Sequence, residues 1–459
     1  YFIAASIECS VVSLVWASSV WYVRFVFRMF GEKERRDNGI VLGMIVLLGI
    51  SNVLTGNEWI GWMNDLIIFV LLVGILLHNF AQDTGWNFGK YLAEIVAAVC
   101  GAVCFIGKPF ADGGAFYRSK KTGESHAGWY VLIGICAAVP CLMVLVLLLM
   151  SADMVFADLL VRFAGVFRFP VKLLRILLML VFGFLSSYCG VRYVQKHAAD
   201  IKPSAGKTAE PLIAIAFTAP IAVLYLLFSA IQIVYLFIGN MQLPAGVTYA
   251  EYARRGFFQL LFVCVLNLAA VLFIQSYFKE NRVLKALLLA ISGCTLIMTA
   301  SSACRMLLYI RAYQLTFLRV SVLVALAVIA LLMAGVIAKI VKPQFPLFRY
   351  GFVLVGAVYL VFSFSHVDYF IAAYNLTHTS WEASGEETVD YSYLYTLSTD
   401  AAPAIEKYAG KSGAADYRKQ GWYQLYCEAN EDALNETGLR TYNVSHAVAK
   451  QLLMEDNRE

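Results

Sequence analysis

The sequence predicts an all-α fold: a polytopic transmembrane helical bundle of about ten spans plus one interfacial or re-entrant segment, followed by a small α-helical soluble domain. Three observations predict it. The 459 residues are 60% hydrophobic and only 15% charged, where soluble domains carry about 25% charged residues, and the mean hydropathy is +0.70. The apolar residues come in blocks of about 17 to 28, and a helix needs about 20 residues to cross a hydrocarbon layer about 30 Å thick. From about Val367 onward the long blocks give way to short acidic segments. The division that follows is a transmembrane helical domain over 1–366 and a soluble, acidic, mainly helical domain over 367–459.

Taken in order, apolar runs suited to crossing a bilayer lie at about Phe2 to Val23, Ile40 to Leu54, Ile60 to Leu77, Trp129 to Met150 and Val171 to Val191. Five more lie at about Pro211 to Ile238, Phe257 to Tyr277, Val283 to Ala303, Phe317 to Ile340 and Gly351 to Phe364. Tyr91 to Phe105 is shorter, contains Glu94 and is flanked by Lys90 and Lys108, so it is expected to lie in the interface or re-enter.

Lys and Arg in short loops set orientation. The loop after the first run holds Arg24, Arg28, Lys33, Arg35 and Arg36, and the next, Thr55 to Trp59, holds none. The first is expected in the cytoplasm and the second outside. The basic loops at Lys108 to Lys121, Arg192 to Lys207, Lys279 to Lys285 and Lys339 to Lys342 agree with this only if Tyr91 to Phe105 does not cross. Arg254, Arg255, Arg305, Arg311 and Arg319 then fall on the opposite side, and so does the tail, which places the C-terminal domain outside the cytoplasm.

Within the tail, Ser398, Thr399 or Asp400 is expected to cap a helix over Ala402 to Ala409, with a second helix over Trp422 to Glu436 and a third behind Asn443 or Ser445. Asn375, Asn435 and Asn443 each open an Asn-x-Ser/Thr triplet. That pattern is common by chance and has meaning only in a eukaryotic secretory pathway.

The formal net charge of +5 combines an acidic tail with a basic membrane part. Basic loops of a membrane protein meet anionic lipid, so nucleic acid is not a partner on this reading. Of the ten cysteines, only Cys427 stands in the tail; the others sit in or beside apolar runs without any CxxC, and pack as small hydrophobes. No metal and no cofactor are expected: the six histidines show no metal spacing, and Walker A, GxSxG and HExxH are missing. The apolar run that begins at Tyr1 lacks a basic n-region and a small-residue cleavage site, so further sequence is expected upstream.

Two clusters of polar residues stand out. Tyr249, Glu251, Tyr252, Arg254 and Arg255 gather at the mouth of a span, where Glu251 can pair with an arginine three or four residues on. They read either as an interfacial anchor or as a site for a ligand or partner. Arg305, Arg311 and Arg319 form the second cluster, on the same predicted side. Arg recognises phosphates and carboxylates bidentately, so an anionic lipid, a phosphate-bearing ligand or the acidic tail itself, docked intramolecularly on the Arg-bearing loops, are the partners expected beside the lipid bilayer. Inside the spans Asp65, Glu94 and Gln232 are the candidate polar positions, because ionisable groups within a bilayer mark pathways. Lys172 and Arg175 lie near a span end and snorkel. Pro140 and Pro220 kink or open their helices.

Several stretches resemble a bacterial membrane family catalogued as a domain of unknown function, numbered four-one-five-three or four-one-seven-three. They are Val139 to Leu142 and Ser151 to Phe156, Gln232 to Phe258, Arg311 to Arg319, Ile371 to Leu376, and the Asp390 and Leu397 to Pro403 segments of the tail. Gln259 stands where the resemblance implies an acidic residue. The resemblance implies a bacterial plasma-membrane protein of the cell envelope and supplies no reaction. Three functions stay open: a transporter or permease, favoured by the many spans and sparse internal carboxylates; a membrane-embedded transferase acting on lipid-linked envelope precursors; and an envelope sensor or assembly subunit.

Overall fold

The computed structural model describes residues 9–81, 83, 86, 88–120, 134, 138, 142, 145–146, 148–156, 158–159, 171–200, 209–234, 257–378, 380–381, 387–388, 391–409, 418, 420–435 and 442–455. Among them the regular structure is helical apart from an isolated bridge and a two-residue antiparallel ladder, Ser380–Trp381 against Glu387–Thr388. The long helices follow the apolar blocks, except that α5 and the end of α6 take in basic stretches expected as loops: α1 Cys9–Phe30, α2 Asn38–Leu54, α3 Glu58–Phe80, α4 Phe88–Cys104, α5 Lys108–Lys120 and α6 Val171–Asp200. They continue as α7 Pro211–Gln232, α8 Phe257–Tyr277, α9 Arg282–Tyr313, α10 Phe317–Val341 and α11 Leu347–Ser363. Short helices complete the chain: α12 Val367–Thr377, α13 Tyr391–Leu394, a 3-10 turn at Thr399–Ala401, α14 Ala402–Tyr408, α15 Gly421–Ala429, α16 Glu431–Asn435 and α17 Val444–Lys450.

Among the described residues five helices, α3 and α7 to α10, are long and apolar enough to cross a membrane. The number rises to seven if two bent pairs each form one span: Phe88–Cys104 with Lys108–Ala115, bent by 60°, and Leu347–Ser363 with Val367–Thr377, bent by 59°. The chain is a membrane protein. Most of the run from Trp129 to Met150 lies outside the described residues.

Local chemistry explains the helix ends. Pro211 occupies the first turn of α7, where its missing N–H costs nothing. The Asn281 side chain accepts from Val283 N at 2.8 Å and starts α9. This helix runs past the predicted end at Ala303 as far as Tyr313, so Arg305 and Arg311 lie on a helix and not in a loop. Gln314 then breaks it with a φ of 64°, a left-handed value that a non-glycine residue adopts at a cost. Thr316 Oγ1 accepts from Arg319 N at 3.4 Å and opens α10.

The chain divides into two compact units, one of Tyr1, Val73–Thr84 and Lys90–Pro203, the other of Phe2–Leu72, Gly85–Gly89 and Ser204–Glu459. In the first, Tyr193 packs against Gly101, stacks on His197 at 5.0 Å and meets Phe105 edge-on at 5.4 Å. Asp112 joins α5 to α6 by accepting from Tyr188 at 2.7 Å and Arg192 at 2.8 Å.

In the second unit α7 to α10 pack around Ala222, Val271, Leu288, Ile291, Met333 and Val336. The short C-terminal helices share another core, in which Ile371, Leu394, Ala404, Ile405, Tyr426 and Ala449 pack with Ile60 of α3. Alanines at 401, 402 and 404, all fully buried, let α12, the 3-10 turn and α14 approach closely.

Candidate functional site

The loop Thr55-Gly-Asn57 between α2 and α3 carries no charge, yet two buried carboxylates close on it from the C-terminal helices. Asp400 Oδ2 accepts from Thr55 Oγ1 at 2.5 Å and Oδ1 from Gly56 N at 2.8 Å. Asp368, on the first turn of α12, accepts from Asn57 Nδ2 at 2.8 Å and from Ser398 N and Oγ at 3.2 and 2.6 Å. Asn443 supplies the third contact: its Nδ2 donates to Thr55 O at 2.7 Å and Asn52 O at 3.2 Å, while its Oδ1 caps α17 by accepting from Ser445 N at 2.8 Å. Glycine at 56 is required by proximity, since a Cβ there would stand 2.0 Å from Thr399 Oγ1 and 3.0 Å from Ser445 Oγ.

The contacts continue into the bundle. Asn52 Nδ2 donates to Asp65 Oδ1 at 3.0 Å, and Asn64 Nδ2 to Asn52 Oδ1 at 2.7 Å. Tyr359 OH and Ser363 Oγ of α11 donate to Asn64 Oδ1 at 2.8 and 2.9 Å, and Ser51 Oγ lies 2.6 Å from Ser363 Oγ. Ser51, Asn52, Asn64, Asp65 and Ser363 are all buried. The result is a contiguous column of polar groups from Asp65 to Asp400, in which Asp400 and Asp368 are each satisfied by several donors.

His366, at the bend between α11 and α12, adopts a φ of 47° and brings Nδ1 to 3.4 Å from Asp400 Oδ1. Hydrogen bonding to Asp400 raises the His366 pKa above its ordinary value, against the opposing effect of burial. Burial pushes the Asp400 carboxyl up, but donors from His366, Gly56, Ser445 and Thr55 outweigh it and hold the group below the usual carboxylate range. Asp368 goes the other way: its burial, with the charge of Asp400 adding to it, raises it despite the donors from Ser398 and Asn57. Burial lowers His446, with Asp400 opposing. Two neighbouring acids are thus driven in opposite directions by their surroundings.

The predicted site residues are distributed as follows. Asp65 belongs to the polar column. Glu94 lies in the first compact unit, 3.4 Å from His197 Nε2; the same unit holds an acid and base grouping in which Asp83 accepts from His78 and Tyr91. Gln232 ends α7, where its Oε1 accepts from Ser301 Oγ at 2.7 Å and from Arg305 Nη2 at 3.5 Å. Arg311 is exposed on α9. Arg319 is held by the Tyr313 carbonyl at 2.5 Å and that of Gln314, with its guanidinium 4.4 Å from the Tyr309 ring centroid. Tyr249, Glu251, Tyr252, Arg254 and Arg255 lie outside the described residues.

Near Arg319 the C-terminal segment is held by amides. Asn375 Oδ1 accepts from Leu315 N and Nδ2 donates to Leu315 O, both at 2.9 Å. Gln314 Nε2 donates to His378 O at 2.7 Å, and Phe317 N to Tyr393 OH at 3.0 Å. Asn375 and Asn443 are buried, which removes two of the three glycosylation triplets from consideration.

Sequence reasoning passes over Asp368, His366 and Asn57 and offers Asp400, beside Ser398 and Thr399, only as a helix cap. The available signal was the uncharged loop at Thr55, unusual in facing an acidic tail. Among the described residues no group of His, Cys, Asp and Glu is arranged to hold a metal ion.

The model of a family described as Domain of unknown function (DUF4153) matches residues 42–408, a span that contains Thr55, Asp65, His366, Asp368 and Asp400. No curated protein and no solved structure matches the chain.

Proposed function

The chain belongs to the DUF4153 family, and we propose that it is a proton-coupled carrier of the bacterial plasma membrane in which Asp65 takes up the coupling proton. The observation that carries this reading is the polar column. Asp65 lies seven residues into α3, about 10 Å along the helix axis, is buried, and connects through Asn52, Asn443 and Thr55 to Asp400 and His366. An ionisable group at such depth is costly and marks a pathway by default. The column links Asp65 to Asp400 and a half-buried histidine through hydrogen bonds, the Asn443 amide joining its two ends by donating to the backbone carbonyls of Asn52 and Thr55.

In this reading about ten spans and a re-entrant α4–α5 pair form the membrane part, and α12 to α17 form a soluble domain outside the cytoplasm over the mouth of the column. Reporter fusions in the Thr55 loop and after Leu453 test the orientation, and a cytoplasmic signal from both refutes it. The transport reading is tested in proteoliposomes holding a pH-sensitive dye. An external acid pulse is expected to acidify the lumen faster with the wild-type chain than with Asp65→Asn. Equal rates in the two would remove Asp65 from the mechanism and the carrier reading with it.

A specific observation favours a second reading as an envelope sensor: a titratable joint binds the C-terminal helices to the bundle, so an external signal acting on those helices has a direct route to Asn64 and Asp65. The transferase reading draws on the Tyr249 to Arg255 cluster and gains no support from the described residues.

A further inference from the structure

The column at Asp65 leaves another set of buried polar groups unexplained. On α7, Tyr225, Ser229 and Gln232 recur at spacings of four and three, and on α8 Cys264 and Asn267 are three apart, so each set shares one helix face. They bond to Thr295, Thr299, Ser301 and Arg305 of α9, on which Ser292 lies one turn from Thr295 and Ser302 one turn from Thr299 and Arg305. Tyr225 OH donates to Asn267 Oδ1 at 2.9 Å, Asn267 Nδ2 to Thr295 Oγ1 at 3.0 Å, and Thr299 Oγ1 to Cys264 Sγ at 3.5 Å. The seam ends where Ser301 and Arg305 meet Gln232. From Ser292 to Arg305 it runs about 20 Å along α9, inside three helices that are each long and apolar enough to cross a membrane.

Helix association alone would satisfy these hydroxyls within the protein. Three of them are not satisfied: Ser229, Ser292 and Ser302 Oγ have no hydrogen-bond partner, although their residues are 3%, 0% and 0% exposed. Ser229 lies one turn from Gln232, and Ser302 one turn from Arg305, so two of the three flank the Gln232–Arg305 contact. Buried hydroxyls without partners need a solute or water to bond them. The seam also has a sign: α7, α8 and α9 contain no Asp or Glu, while Arg305 brings a guanidinium into it at 8% exposure.

We propose that the α7–α9 seam is a hydrated binding path for an oxyanion-bearing solute, with Arg305 as its charged anchor and Gln232, Ser229 and Ser302 as hydrogen-bonding partners. This names the substrate class of the proposed carrier and rests on that reading. The planar fork of Arg305 suits a carboxylate or phosphate oxygen pair, and the serines along the seam offer successive bonds to a polar solute passing between the helices.

The test reads access and sign without requiring transport. The full chain in nanodiscs, carrying Ser302→Cys or, as a second variant on another helix, Ser229→Cys, is treated with methanethiosulfonate reagents bearing either a sulfonate or a trimethylammonium group. Labelling is followed peptide by peptide by mass spectrometry, so native thiols do not interfere. The anionic reagent is expected to react about tenfold faster than the cationic one, as charge focusing in a low-dielectric cleft raises on-rates. Adding Arg305→Gln should erase that preference, and Arg305→Lys should retain most of it. Protection by inorganic phosphate identifies a free solute as the oxyanion source; protection only by anionic lipid added to the nanodisc identifies a headgroup. No labelling at either position, or an unchanged preference with Arg305→Gln, overturns the proposal. Dye-detected proton uptake that depends on Asp65 would leave the carrier reading standing in that event, and its loss would remove the reading while leaving an anion site intact.

Discussion

The backbone N–H of Gly56 donates to Asp400 Oδ1 at 2.8 Å, joining residues 344 positions apart in sequence. Both partners are committed: the glycine has no room for a side chain, and the carboxylate is fully buried with Thr55 on its other oxygen. A small loop between two helices is in this way tied to the C-terminal core.

Gly56→Ala is expected to break that tie. The added methyl would occupy the position of Thr399 Oγ1, and moving Thr399 sacrifices its 2.8 Å contact with Ser445. Overpacking of this kind costs about 1–3 kcal/mol. Limited proteolysis of the purified chain checks it: cleavage between Tyr391 and Lys450 should accelerate in the variant, and an unchanged rate would show that the loop yields freely.

Asp400→Asn and Asp368→Asn should differ. Asp400 is held ionised by its donors, so neutralising it weakens several charge-assisted bonds and costs at least about 2 kcal/mol. Asp368 is already pushed towards its neutral form by burial, and an amide oxygen can still accept from Asn57 and Ser398. Thermal unfolding in detergent should therefore show a clear drop for Asp400→Asn and a small change for Asp368→Asn; the reverse order would mean that the two carboxylates have been assigned the wrong charge states.

The joint should respond to pH through His366. Its folded pKa lies above the ordinary 6.5, so the stabilisation it provides is complete below that value and is lost as pH rises through the folded one. Asp400 is lowered from 3.8, and its contribution disappears only as pH falls through the lowered value. Asp368 is raised from 3.8, so its effect has the opposite sign, with stability lost as pH climbs from 3.8 through the raised value. Hydrogen exchange of the Gly56 and Asn57 amides, corrected for intrinsic rates and compared at about pH 6 and about pH 8.5, should show loosening at the higher pH. His366→Gln should flatten that response, and a variant as pH-sensitive as the parent would exclude His366 as the responding group.

These contacts mark the limit of what was legible in the sequence. Helices such as Phe257–Tyr277 and Phe317–Val341 follow their apolar runs closely, because a bilayer demands about 20 apolar residues whatever they pack against. Arg305 was misread as a loop residue for the same reason: a charge ended the apolar run, while the helix continued because Gln232 and Ser301 offered polar company inside it. Asp65 and Gln232 were recognisable as buried polar positions in apolar runs. Asp400 and Asp368 were not, since an acid in a short helical tail looks like a cap or a solvated surface, and only a partner more than 300 residues away reveals otherwise.

In the first compact unit, Gly101→Ala should act at a distance of one layer. A Cβ at 101 would lie 2.2 Å from the Tyr193 ring, and that ring stacks on His197, the partner of Glu94. Displacing Tyr193 is expected to cost about 1–3 kcal/mol and to free the Glu94–His197 pair. A Tyr193→Leu change made together with Gly101→Ala should recover part of the lost thermal stability, and failure of that rescue would show that the clash lies elsewhere.

Asn375 offers the sharpest test of how the C-terminal segment is held near Arg319, because its amide pairs with both backbone groups of Leu315 at 2.9 Å, as a neighbouring strand would. Aspartate has the same shape but lacks the donor, and it places a negative charge against the Leu315 carbonyl. Alanine leaves an N–H and a C=O without partners in a buried setting, at about 1–3 kcal/mol for each group that water cannot reach. The expected order of thermal stability is wild type, then Asn375→Ala, with Asn375→Asp lowest near neutral pH and recovering as the medium is acidified enough to protonate the new carboxyl. If grip on this segment came instead from attraction between acidic groups and Arg311 or Arg319, Asn375→Asp would be neutral or stabilising, and added salt would weaken the parent chain. Unfolding measured at low and high salt for the three proteins separates the two mechanisms, and the amide clamp requires a salt-independent loss in Asn375→Ala.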